Sequence, residues 1–203
     1  MTTSELVQIG SLIVLAFYTV VTYKLLTSQN RQSFENQFFQ LLNLHHGIVN
    51  AIERYVGNLP VHGRRNFEVF NSEFLASFQK EYAKNHLAEQ GAIISAAYRT
   101  FFPTRQPEIG HYFRNLYHII KFIDDSKSKK KEYFVHLVRA QLSSQELLLL
   151  FYNCLGPYGI EKFKPLVERY SLLENMPEDE IISKKLNLPL DHKTLYDPHA
   201  FQK

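Results

Sequence analysis

The segment GHYFRNLYHIIKFID, residues 110–124, holds the residue types from which an acid–base site could be built. Read as a helix at 100° per residue, it places Tyr112, Leu116, Ile119, Ile120 and Ile123 on one stripe. His111, Arg114, Asn115 and His118 then fall together on the opposite side. Arg114 and His118 are four residues apart, so their side chains are neighbours one turn away. A histidine beside an arginine can act as a general base while the arginine holds a phosphate. That pairing suits cleavage of RNA through the 2′-hydroxyl. Arg114 and His118 are thus the candidate catalytic pair, with His111, Asn115 and Arg139 in support. The plainer reading, the wet face of an amphipathic helix, carries more weight, because polar residues opposite an apolar stripe are expected anyway.

A second segment, EYFVHLVRAQLSSQELLLLFYNCLG, residues 132–156, adds His136 and Arg139, three apart on one face. Ser143 and Glu146 have the spacing of a capping box, so a helix opens there. Leu147 to Phe151 is apolar on every side, which predicts a central, buried helix, and Gly156 reads as its stop. Arg139, Gln141, Glu146 and Asn153 are then polar groups beside a very apolar helix. They read first as a structural hydrogen-bond network, since buried polar groups must be paired whatever their use. Cys154 on that helix reads as an inert core thiol. No CxxC, HExxH, GxxxxGK[ST] or GxGxxG occurs, and the adjacent His45 and His46 point to different helix faces. No metal and no cofactor, small-molecule or other, is expected.

The elements that must position these residues are helical almost throughout. Strand-like alternation is nearly absent, and the few Gly and Pro residues punctuate helical stretches. The pattern predicts helices near 4–28, 30–56, 64–84, 86–102, 108–124, 130–142, 144–155 and 158–170. The fold class expected is all-α: an N-terminal transmembrane anchor (1–29), a stalk-like amphipathic helix (30–57), a helical bundle (58–176) and a polar tail (177–203). The tail holds Pro177, Pro189 and Pro198 and reads as loose, with one short helix near 178–186. The sixteen Phe and twelve Tyr can build a core without Trp, and the net charge of +3 selects no partner.

The anchor reading rests on residues 6–23, LVQIGSLIVLAFYTVVTY, which hold no charge. Eighteen helical residues span roughly 27 Å, against roughly 30 Å of hydrocarbon. Leu6, Ile9, Leu12, Ile13, Leu15, Phe17, Val20 and Val21 would face lipid. A cleaved signal would want a basic start and small-residue cleavage site, and only Thr2, Thr3, Ser4 and Glu5 precede the run. A buried core helix is the other rival, but core helices are seldom apolar on all sides for so long. Lys24 and Arg31 follow the run and no Lys or Arg precedes it, so the positive-inside rule puts the rest in the cytoplasm. One cysteine allows no internal disulfide, as in a reducing compartment. A single-pass membrane protein follows.

Phe34, Phe38, Leu41, His45, Ile48 and Ile52 repeat at heptad spacing beyond the anchor. They form either a self-associating stalk or a helix packed on its own domain. Three heptads are short for a coiled coil, which favours the packed helix; a homo-oligomer still stands among the expected partners. The run KSKKKE, residues 127–132, could meet anionic lipid or nucleic acid, although four lysines without interleaved aromatics read first as a solvated loop.

The blocks HYFRNLYHIIKFID, LVRAQLSSQELLLLFYNCLG and KFKPLVERYSLLENM, in that order and spacing, resemble phage abortive infection proteins of the AbiC-like kind. The resemblance covers roughly residues 34–176 and is strongest over 110–176. It implies a bacterial inner-membrane protein with a cytoplasmic helical domain and a role in antiviral defence, in which an infected cell is arrested or killed. A phage protein or RNA would be its target. No catalytic residue is carried over from that family. Arg114 to His118 is also similar to the Arg–polar–His motif of HEPN-superfamily ribonucleases. Here three residues intervene where that motif has four to six, and each residue of shift turns the histidine by 100°. A non-enzymatic membrane tether for a partner protein is a third reading.

Overall fold

Helix α1 (Thr3–Asn50) opens the chain as one uninterrupted element of 48 residues. The computed structural model describes residues 2–189 and 191–202; Met1, Leu190 and Lys203, in the first and last expected segments, lie outside the described residues. The sequence predicted a joint near residue 29. The bridging stretch KLLTSQNRQS holds no Pro or Gly, so nothing in it stops a helix. The chain divides into two units, residues 1–40 and 41–203, with the division inside α1.

Along residues 6–26 of α1 the large apolar side chains stand in the open, Leu6, Ile9, Leu12, Ile13, Leu15, Phe17, Val20 and Val21 included. The helix is long and apolar enough to cross a membrane by length and composition. Two hydroxyls of its apolar stretch close onto their own backbone. Ser11 Oγ donates to the Val7 carbonyl at 2.9 Å and Thr19 Oγ1 to the Leu15 carbonyl at 2.8 Å. Such bonds satisfy these two hydroxyl donors without water.

The second unit is built on three helices. Helix α2 (Asn66–Lys84) buries Phe67, Phe70, Phe74 and Phe78, spaced three, four and four apart on one face. The Phe74 ring lies 5.6 Å from Tyr98 and Phe101 of α3 (Gln90–Asp125) and 4.8 Å from Tyr152 of α5 (Ser144–Leu155). Helix α5 is buried from Glu146 to Leu155, the central helix its composition predicted. Its capping box is formed: Ser143 Oγ accepts from Glu146 N–H at 3.3 Å, and Glu146 Oε2 accepts from Ser143 N–H at 2.8 Å. Gly156 ends α5, for a packing reason. A Cβ there would sit 2.6 Å from Cδ1 of Tyr98.

Helix α3 corrects the expectation of two helices, 86–102 and 108–124. Pro103 and Pro107 lie inside it, four apart and both on the solvent side. Two prolines normally end a helix. Here the opposite face is held by Phe101, Phe102, Ile109, Tyr112 and Phe113, all buried, and that packing outweighs the lost backbone bonds.

Residues 51–62 also differ from the expected helix end. β1 (Glu53–Val56) pairs antiparallel with β2 (Leu59–His62), Val56 opposite Leu59. Gly57 at φ 60° supplies the left-handed residue that a two-residue hairpin requires. The chain is otherwise helical among the described residues, with α4 (Lys131–Arg139), α6 (Lys164–Arg169) and α7 (Ile182–Lys185) completing it.

The tail is not loose. Ile181 and Ile182, between the 3-10 turn Glu178–Glu180 and the body of α7, are buried, as are His192 and Tyr196 at the turn His192–Leu195 and Ala200 in the turn Pro198–Phe201. Tyr196 Oη donates to the Phe151 carbonyl at 2.6 Å, and Ile182 N–H donates to Tyr152 Oη at 2.8 Å. Turns of three or four residues are too short to show a helical period, which is why composition alone suggested a polar end.

Candidate functional site

Helix α3 carries the sequence-derived site, and its two faces part company. Arg114 and His118 are exposed, His111 and Asn115 half-buried. Among the described residues no hydrogen bond or ion pair joins Arg114 to His118; the His118 ring rests against its neighbour Tyr117, centroids 5.2 Å apart. Asn115 turns inward. Its Oδ1 lies 3.1 Å from Nδ1 of the buried His45. Arg139 is elsewhere: it donates to the Ser171 carbonyl at 3.0 Å, lies 2.7 Å from His136 Nε2 and pairs with Glu174 at 2.5 Å. Asn115 and Arg139 therefore serve the packing of the unit and do not support the Arg114–His118 pair.

The expected network of Arg139, Gln141, Glu146 and Asn153 resolves into three separate sets. Arg139 fastens α4 to the 171–174 turn. Asn153 Nδ2 donates to Tyr98 Oη at 2.7 Å inside the core. Gln141 and Glu146 meet through a residue the sequence reading passed over, Arg64, in the 3-10 turn Gly63–Arg65. Arg64 donates to the Gln141 carbonyl at 2.6 Å and lies 3.3 Å from Glu146 Oε2. The Gly-Arg-Arg step before α2 was the available signal, but a basic pair at a turn does not name its distant partner.

The result is a polar cluster at the α5 N-terminus. Glu146 is fully buried, while the Arg64 side chain is 46 % exposed and covers it. Tyr112 is fully buried, with its ring 4.9 Å from that of His45. Burial, then the facing Glu146 carboxylate, hold the Tyr112 phenol well above its ordinary pKa. Tyr112 Oη, Glu146 Oε1 and His45 Nε2 are buried without a well-formed hydrogen bond. A buried phenol, carboxylate and imidazole thus lie in one cluster.

The seam residues divide as well. Phe34 and Phe38 belong to the first unit. Leu41 and Ile48 are half-buried, and His45 and Ile52 are buried within residues 41–203. Those two positions pack on the chain's own domain. Cys154 is buried and its thiol is pushed up by burial, as for an inert core cysteine. Among the described residues no group of three or more His, Cys, Asp or Glu is gathered around a metal-sized site.

No curated protein and no solved structure matches this chain. Residues 104–181, from the middle of α3 to the residue before α7, match the family model described as "Putative phage abortive infection protein", and this part of the chain is similar to that family.

Proposed function

We propose that the protein is a phage-defence effector or sensor held at the bacterial inner membrane by the first part of α1. The match over residues 104–181 carries the defence reading. The exposed apolar stretch of α1 supports the anchor, since a chain in water rarely leaves so long an apolar surface uncovered. The flanking Lys24 and Arg31 favour a cytoplasmic position for residues 41–203. The proposed action is association at the membrane that disturbs it or engages a phage component. Association of copies through α1 would have to use positions other than His45 and Ile52.

Phage challenge of cells making the full chain, with membrane potential and total RNA followed together, tests this reading. Protection with depolarisation and intact RNA is expected. Protection with RNA breakdown before any depolarisation contradicts it.

The ribonuclease alternative keeps one favourable observation: Arg114 and His118 lie one turn apart, both exposed, and among the described residues neither makes a side-chain hydrogen bond or ion pair. An Arg114→Ala, His118→Ala double variant that folds and still protects removes that alternative.

A further inference from the structure

We infer that the lysine loop between α3 and α4 is an anionic-lipid contact, an inference that rests on the anchor reading above. Two contacts give the relative direction of α1 and α3 within residues 41–203. His45 meets Asn115 at 3.1 Å, while Arg54, just past the end of α1, meets Glu108 at 3.4 Å. The two helices therefore run in opposite senses. The C-terminal end of α3, with the loop that follows it, lies toward the end of the unit where the chain enters at Leu41. The exposed apolar hairpin tip of Tyr55, Val56 and Leu59 lies toward the other end.

The loop is ordered by serines, which leaves its lysines free. Ser126 Oγ donates to the Ile123 carbonyl at 2.7 Å, and Ser126 Oγ and Ser128 Oγ accept from the backbone N–H groups of Ser128 and Lys130 at 3.3 and 3.1 Å. Lys127, Lys129 and Lys130 are exposed, and among the described residues their ammonium groups have no partner. Lys131 is committed to the Asp124 carbonyl at 2.5 Å. The nearby acids are mostly answered: Asp125 by Lys121 at 2.7 Å, and Asp124 by Arg169 at 2.8 Å. Glu132 is exposed in the first turn of α4, where a carboxylate suits the helix dipole. Tyr133 follows, 57 % exposed. Free cations flanked by one open aromatic match a headgroup layer, where charge meets phosphate and tyrosine sits at the interface. A single aromatic offers little stacking to single-stranded RNA, which favours lipid over nucleic acid. At about fivefold per lysine, three free lysines would favour an anionic over a neutral surface by roughly a hundredfold.

The chain has no tryptophan, so Tyr133→Trp in the full chain gives a unique reporter. The protein is placed in nanodiscs of phosphatidylcholine alone or with about one third phosphatidylglycerol. A blue-shifted emission in the anionic discs only, reversed by 0.5 M salt, is expected. It should be abolished by Lys127→Gln, Lys129→Gln, Lys130→Gln, in an exposed loop where folding is not at stake. Insertion into both discs with the same emission overturns the lipid contact alone. Recovery of the chain outside both discs overturns the anchor and this inference with it. A shift on adding single-stranded RNA, with none from phosphatidylglycerol, overturns it in favour of a nucleic-acid surface.

Discussion

Arg64 and Glu146 show how little a local pattern says about a distant pair. Glu146 was recognisable from the sequence as the N3 partner of Ser143, a contact three residues long. Its second partner comes from a turn 82 residues upstream, and no spacing rule reaches that far. Arg64→Ala removes the cation from a buried carboxylate and frees the Gln141 carbonyl. A loss of about 1–3 kcal/mol is expected in denaturant unfolding, discounted because Arg64 is partly exposed. Adding Glu146→Gln should recover part of it, because the stranded charge is then gone.

His192 belongs to the same scale. Its ring is buried between Phe78 and Tyr152, centroids 5.4 and 5.9 Å away, and burial lowers its pKa to about 4 from the usual 6.5. The unfolded chain therefore binds this proton more readily than the folded one between those values. The folded state keeps its full advantage above about pH 6.5 and loses it as pH falls toward 4, by roughly 3 kcal/mol for this group. Unfolding free energy measured from pH 7.5 to 4.5 should drop more steeply in the wild type than in His192→Gln. Equal slopes would contradict the assignment.

At the scale of elements, strong periodicity was legible and weak or overridden signals were not. A helix over 64–84 and the buried α5 followed directly from spacing and composition. The hairpin did not, because Tyr55 continues a heptad rhythm that reads as helix while Gly57 fixes a turn just after it. The joined α3 did not, because packing decided against Pro103 and Pro107. If so, Pro107→Ala should stabilise the unit: it returns an N–H donor to the helix without touching the buried face. A gain of about 1–3 kcal/mol in denaturant unfolding is expected, whereas a loss would mean that the prolines set a bend the packing needs. Of the candidate site, the exposure of Arg114 and His118 was legible from the stripe opposite Leu116. The inward turn of Asn115 was not, since it depends on His45 in a different helix.

For the whole molecule, the two units suggest a division of labour: the first holds an exposed apolar stretch over residues 6–26, and residues 41–203 carry the region similar to abortive infection proteins. The proposed function needs both. The most direct measurement is phage plating on cells that make the chain lacking residues 2–26, compared with the full chain at equal abundance. Loss of protection, with the shortened protein still folded and present, is the expected result. Undiminished protection by the shortened protein would contradict a role for the membrane.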